Sequence, residues 1–133
     1  MKKYLSVLCL LLAVVFTSCQ SDDDRYRLYD RIADREWSGD LGFYQNGIYP
    51  LDSNVWSGAD GFGVDELRFA DDGRYLDRLR IRREAYDDGT IRIDYGRADY
   101  PRELRGVRIR RGRLDGDLCI GGLYYDRVTL YMR

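Results

Sequence analysis

The 133-residue chain has 22 lysines and arginines, 23 aspartates and glutamates and no histidine, for a net charge of −1. That length holds one domain, and the near balance of charge argues against nucleic acid as a partner. Without histidine, Ser-His and Cys-His nucleophilic pairs and Cys/His zinc sites are excluded together.

The chain opens on Lys2 and Lys3, runs through an apolar stretch from Leu5 to Phe16 and reaches the small residues Thr17 and Ser18. A positive start, an apolar stretch and a small-residue exit are the three parts of a secretory signal peptide, so residues 1–18 are predicted to be a cleaved leader. As a helix the apolar stretch would reach about 18 Å, against roughly 30 Å of hydrocarbon. A permanent transmembrane span is therefore not expected.

Phe16-Thr17-Ser18-Cys19 resembles a lipobox, with Phe16 where Leu is usual. The resemblance implies acylation of Cys19 and cleavage just before it, which makes the lipid bilayer a partner, at roughly 0.8 kcal/mol per buried CH2. By themselves Gln20, Ser21, Asp22, Asp23 and Asp24 read as a solvated acidic linker. Directly behind such a cysteine, they resemble the export signal of Bacteroidota-type lipoproteins. That implies an outer-membrane protein displayed on the cell surface, with the periplasmic face as the alternative. Loss of residues 1–18 removes Lys2 and Lys3 and no acid, leaving 20 arginines against 23 acidic residues, net −3. Cys9 leaves with the leader and Cys19 carries lipid, so Cys119 is expected as a lone structural thiol with no disulfide.

Residues 25 to 36 read as a short helix, with Leu28 and Ile32, or Tyr29 and Ala33, four apart on one face. Residues 19–35 are thus expected to be the tether, with the domain proper at 36–133. From Trp37 the apolar period is two. Trp37, Gly39, Leu41 and Phe43 alternate with polar residues or glycine, as do Leu67 and Phe69, Leu79 and Ile81, Ile91, Ile93 and Tyr95, Val107 and Ile109, and Val128, Leu130 and Met132. Strands with one apolar and one charged face suit an antiparallel sheet wet on one side. Reversals are expected at Asn46-Gly47, Asp71-Asp72-Gly73, Asp87-Asp88-Gly89, Arg111-Gly112-Arg113 and Asp115-Gly116-Asp117, and Pro50 and Pro101 are assigned to connections. The reading is an all-β fold of seven or eight short strands, a meander barrel or a sandwich.

Trp37-Ser38-Gly39-Asp40-Leu41, the Asp60-Gly61-Phe62-Gly63 segment, the run from Glu66 to Gly73 and the closing Val128-Thr129-Leu130-Tyr131 together resemble the lipocalin-like domains of Bacteroidota-type lipoproteins. The resemblance spans most of residues 36–133. It implies a small antiparallel meander barrel, its interior small or filled by side chains, and no single activity.

The chemistry offered by the residues is thin. Asp71-Asp72 and Asp87-Asp88 are carboxylate pairs, but they sit in turns that favour Asp for its local hydrogen bonds. Asp52-Ser53-Asn54 begins like an EF-hand loop, yet Trp56-Ser57 falls where the motif needs an oxygen ligand and glycine. A looser oxygen site among Asp52, Asp60, Asp65 and Glu66 is left as an alternative. No metal, cofactor or catalytic residue is assigned. Trp56 and Phe62, taken to share a loop over 52–66, and Tyr124 are the candidate ligand contacts. The arginines at 80, 82, 92, 108 and 110 are expected to meet acids across the strands, with Asp77, Asp94 and Asp126 as candidates. The expected function is a lipid-anchored, non-catalytic binding or accessory module for a glycan, a small apolar ligand or an envelope protein. The alternatives are a carboxylate-dependent hydrolase with its site at the barrel mouth, and a purely structural envelope lipoprotein.

Overall fold

The structure, a computed structural model, describes residues 28–133. Eight antiparallel strands follow one another around a closed barrel: β1 (Glu36–Gln45), β2 (Tyr49–Ser57), β3 (Phe62–Phe69), β4 (Tyr75–Ala85), β5 (Ile91–Asp94), β6 (Arg102–Arg110), β7 (Arg113–Ile120) and β8 (Leu123–Met132). The barrel closes between β1 and β8 through Trp37 opposite Met132 and Ser38 opposite Tyr131. Every strand is therefore paired on both sides, and no edge is left to recruit another chain. The core is drawn chiefly from the strands, with Ile32 of the N-terminal helix added to it.

Period-two alternation decides which side chains fill it. Trp37, Leu41 and Phe43 of β1, Leu51 and Val55 of β2, Leu67 of β3 and Ile81 of β4 are buried together with Ile91, Ile93, Leu104, Leu114, Leu118, Val128 and Leu130. The outward phase of β4, by contrast, carries Arg78, Arg80 and Arg82, all exposed. An apolar inside and a charged outside is the reverse of a barrel embedded in lipid. Cys119 is buried and unpaired.

The turns follow from local chemistry. Asn46 and Gly47 both take positive φ (53° and 68°), as do Arg111 and Gly112 (51° and 74°). Two successive positive-φ residues match the right-handed twist of the strands that they join. Bulges lie at residues 39–43 of β1 and 105–108 of β6, where extra residues sharpen the bend that a small barrel needs.

Four expectations are corrected. The supposed 52–66 loop is a hairpin: β2 begins at Tyr49 and β3 at Phe62, and only residues 58–61 connect them. The mixed polar sequence of β2 hid it, because Ser53 and Ser57 occupy inward positions that a core usually fills with apolar groups. Asp115-Gly116-Asp117 is no reversal but lies within β7, where Gly116 packs its backbone beside Leu104 and Val107. Pro50 stands inside β2, opposite Tyr44, and not in a connection. A regular strand would turn Tyr124 and Tyr125 to opposite faces, one in and one out, and they do not alternate in this way. A bulge opposite Cys119 leaves both exposed.

A short helix at residues 28–32 covers one end of the barrel. Arg31 donates to the carbonyl of Ile109 (3.3 Å), and the backbone N–H of Asp34 donates to Ser57 (2.7 Å). This helix end also holds the turns at 58–61, 86–90 and 111–112. The far end holds those at 46–48, 70–74, 95–101 and 121–122. Cys19 and residues 20–24 lie outside the described residues.

Candidate functional site

Inside the barrel, toward the far end, an ionic cluster replaces part of the apolar core. Asp65 is fully buried; its carboxylate accepts a 2.7 Å hydrogen bond from the Tyr95 hydroxyl and a 3.1 Å bond from the backbone N–H of Asn54. Burial pushes the Asp65 carboxyl above the usual carboxylate range, against the pull of those bonds, of the Ser53 hydroxyl and of the Arg102 charge. Tyr95, also buried, is pushed well above the ordinary phenol range, first by desolvation and then by Asp65.

Arg102 enters this cluster from the first residue of β6. Its guanidinium lies 3.8 Å from the centroid of the Phe43 ring and 5.6 Å from that of Tyr95. It donates to the carbonyls of Leu41 (3.0 Å) and Tyr100 (2.8 Å) and to the Asp99 carboxylate (2.9 Å). The planar fork satisfies several acceptors at once while its faces stack on aromatic rings, which a lysine could not do. At the helix end Arg83 plays the matching part. It donates to Ser57 Oγ (2.9 Å) and the carbonyl of Gly58 (3.0 Å), and its guanidinium lies 4.5 Å from the centroid of the Tyr29 ring. Both arginines stand in the inward phase, two residues from Ile81 and Leu104. That phase was the available signal, although neither residue was assigned from the sequence.

The carboxylates considered for acid–base or calcium chemistry do not converge. Asp65 points inward and is sealed. Glu66 faces out, ion-paired with Arg68. Asp60 accepts from the backbone N–H of Phe62 in its turn. Asp52 lies beside Asp40 on the outer face, its carboxyl raised first by burial and then by that neighbour. Among the described residues no group of three or more His, Cys, Asp and Glu is arranged to hold a metal ion.

The three candidate ligand contacts separate. Trp56 and Phe62 lie on the outer face near the helix end, where Trp56 is opposite Val64 and Phe62 opposite Arg82. Tyr124 stands at the far end, 65% exposed. There it joins a rim of side chains from every far-end turn: Tyr44, Ile48, Tyr75, Tyr100, Leu123 and Tyr125, all exposed. Tyr44 and Tyr125 share a 3.2 Å hydrogen bond between hydroxyls, which pushes the Tyr125 phenol up to about 12. Tyr100 and Pro101 border a cleft of about 490 Å³ over the 96–101 loop.

Of the five arginines expected to meet acids, Arg82 and Arg92 do so, with other acids than expected, while Arg80, Arg108 and Arg110 have no ion pair among the described residues. Arg92 bridges to Glu103 across β5 and β6 (3.2 Å) and Arg127 to Asp117 across β8 and β7 (3.4 Å). Arg68, Arg82, Arg105 and Arg113 instead reach an acid two residues along their own strand. Among described residues, no helix is long and apolar enough to cross a membrane. Compared with protein-family models, curated proteins and solved structures, the chain finds no match.

Proposed function

We propose that the chain is a lipid-anchored envelope protein, held in the outer membrane through acylated Cys19 and facing the cell surface, whose lipocalin-like barrel is a non-catalytic binding or accessory module. The observation that carries the binding half is the tyrosine-rich rim at the far end, opposite the end where the chain enters from residue 28. Tyrosine offers a large rigid contact surface at low entropic cost and keeps a polar tip for hydrogen bonds. Exposed clusters of such residues mark contact surfaces more often than scattered ones do.

Side chains fill the barrel interior, which turns the reading away from a small apolar ligand held inside and toward a glycan or an envelope protein held on the rim. The dispersal of Asp52, Asp60, Asp65 and Glu66 supports a binding module over a hydrolase. A photo-crosslinking residue placed at Tyr100 or Tyr124 of the full chain in living cells tests the reading. A discrete adduct, lacking when the same residue replaces Arg78, is expected. Silence at the rim positions, or equal labelling at Arg78, would contradict a rim-centred binding role.

A further inference from the structure

At the helix end a cleft of about 450 Å³ is lined by Arg31, Arg35, Arg110 and Arg111, with Trp37 and Met132 among its apolar walls. On the barrel wall the arginines are mixed: Arg78, Arg80 and Arg108 have no ion pair among the described residues, whereas others do. Arg68, Arg92, Arg105, Arg113 and Arg127 each hold a carboxylate. None of the four in the cleft has an ion pair among the described residues; Arg31 and Arg35 donate only to backbone carbonyls. Four arginines that line one cleft, none within ion-pair distance of a carboxylate among the described residues, offer donor forks to an incoming anion. Trp37 is buried in the cleft wall, and its indole N–H has no acceptor.

Position selects the anion. The cleft sits where the chain enters the barrel, and only residues 20–27 separate Cys19 from the described helix. A chain anchored at Cys19 would hold this end within roughly 30 Å of the bilayer. We propose that the cleft docks on the phosphate headgroups of an anionic lipid surface, the membrane that carries the chain's own anchor, and so turns the far-end rim outward. The proposal rests on the anchored reading above. Charge complementarity carries it: guanidinium forks match phosphate oxygens bidentately, while Trp37 and Met132 supply apolar surface beside them. The chain beyond residue 18 is net −3, so its overall charge opposes binding to an anionic membrane and any attraction must be local.

The test uses residues 20–133, which keep the closed barrel but lack Cys19 and the apolar leader, so acyl chains cannot produce the result. Vesicles of phosphatidylcholine with phosphatidylglycerol should sediment this fragment at low salt, and phosphatidylcholine alone should not. Replacing Arg35→Ala, Arg110→Ala and Arg111→Asn should lower partitioning about a hundredfold, at roughly fivefold per arginine near an anionic surface. Asn suits the positive φ of Arg111, and Arg31 is kept because it ties the helix to β6. The charge-matched change of Arg78, Arg80 and Arg82 to Ala, which also removes three positive charges, should stay within about twofold of wild type.

Equal losses in the two variant sets, or no binding by the folded fragment, would overturn the proposal. So would inorganic phosphate perturbing Trp37 fluorescence in a Trp56→Phe fragment that ignores vesicles, since the cleft would then serve a free anion. Vesicle binding that emerges only after Asp22, Asp23 and Asp24 become alanine would assign the cleft to the chain's own acidic segment. Acylation of Cys19 is read separately, from the mass of the chain taken from membranes, so failure of the anchor and failure of the cleft are distinguishable.

Discussion

Tyr95, the residue after β5, donates a 2.7 Å hydrogen bond to Asp65 of β3 across the inside of the barrel, and β5 and β3 are not neighbours in the sheet. Removing the Tyr95 hydroxyl leaves one buried oxygen of Asp65 without this donor, and removing Asp65 leaves the hydroxyl buried and unmet. Tyr95→Phe is expected to lower unfolding free energy by about 1.5–3 kcal/mol at neutral pH, the usual worth of a hydrogen bond to a charged group. Asp65→Ala strands both the Tyr95 hydroxyl and the Asn54 N–H and should cost at least as much. Urea unfolding monitored by far-UV circular dichroism measures both.

The pH dependence has a definite sign. The Asp65 carboxyl titrates above its unfolded value, chiefly through desolvation. The native state therefore holds a proton more readily than the unfolded chain. Its contribution to stability is fully present below the unfolded value of 3.8 and is lost as pH rises through the folded value. Relative to Asp65→Asn, wild type should gain stability as pH falls from neutral toward 4, measured as the difference between their urea midpoints. Because the Tyr95 bond holds this carboxyl down, the cost of Tyr95→Phe should shrink over the same range.

Arg102 and Asp99 should differ sharply although they form one ion pair. Arg102 is buried, stacked on Phe43 and bonded to the Leu41 and Tyr100 carbonyls, whereas Asp99 is partly exposed. Arg102→Ala should cost about 3 kcal/mol, through lost packing and orphaned carbonyls. Asp99→Ala should cost about 1 kcal/mol or less. Thermal melts of the two variants give the comparison.

Gly63 has no room for a side chain. A Cβ there would stand 1.9 Å from the Trp56 carbonyl oxygen and 2.7 Å from Ser57 Cα. Both are backbone of the paired strand, so Gly63→Ala should force β2 and β3 apart and destabilise by about 3 kcal/mol or prevent folding. Gly47→Ala is the control. Nothing lies within 4 Å of that position, and only its φ of +68° resists the change, so a loss of about 1 kcal/mol is expected. Soluble yield and melting temperature separate the two outcomes.

The rim should carry function without carrying stability. Tyr100→Ala and Tyr124→Ala remove side chains that are 70% and 65% exposed, so each should change stability by less than about 0.5 kcal/mol. If the rim is the contact surface, the pair should together abolish the crosslinked adduct formed from Tyr44, tenfold or more in yield, as loss of aromatic anchors does elsewhere.

Most of the barrel was legible because alternation is a local signal. Ile91-Arg92-Ile93-Asp94 and Val128-Thr129-Leu130 declare their two faces within a few residues, and Asn46-Gly47 declares its turn. What stayed hidden depends on partners far away in sequence. Ser53 and Ser57 weakened the pattern of β2, and only the fold reveals that the side chains of Asp65 and Arg83 reach them inside the barrel. The tyrosines of the rim and the arginines of the cleft come from separate turns, gathered only when the barrel closes. Arg110 looked like part of a basic stripe and Arg111 like part of a turn until the structure placed both at one cleft with Arg31 and Arg35.

The most direct test of the account is the mass of the protein extracted from the membranes of cells expressing the full chain. The account predicts a chain that begins at Cys19 and carries acyl groups, with Cys19→Ala leaving an unprocessed or soluble product. A chain without acyl groups, or one cut elsewhere than before Cys19, would contradict the anchored module and remove the reason for the barrel's two ends to face different surroundings.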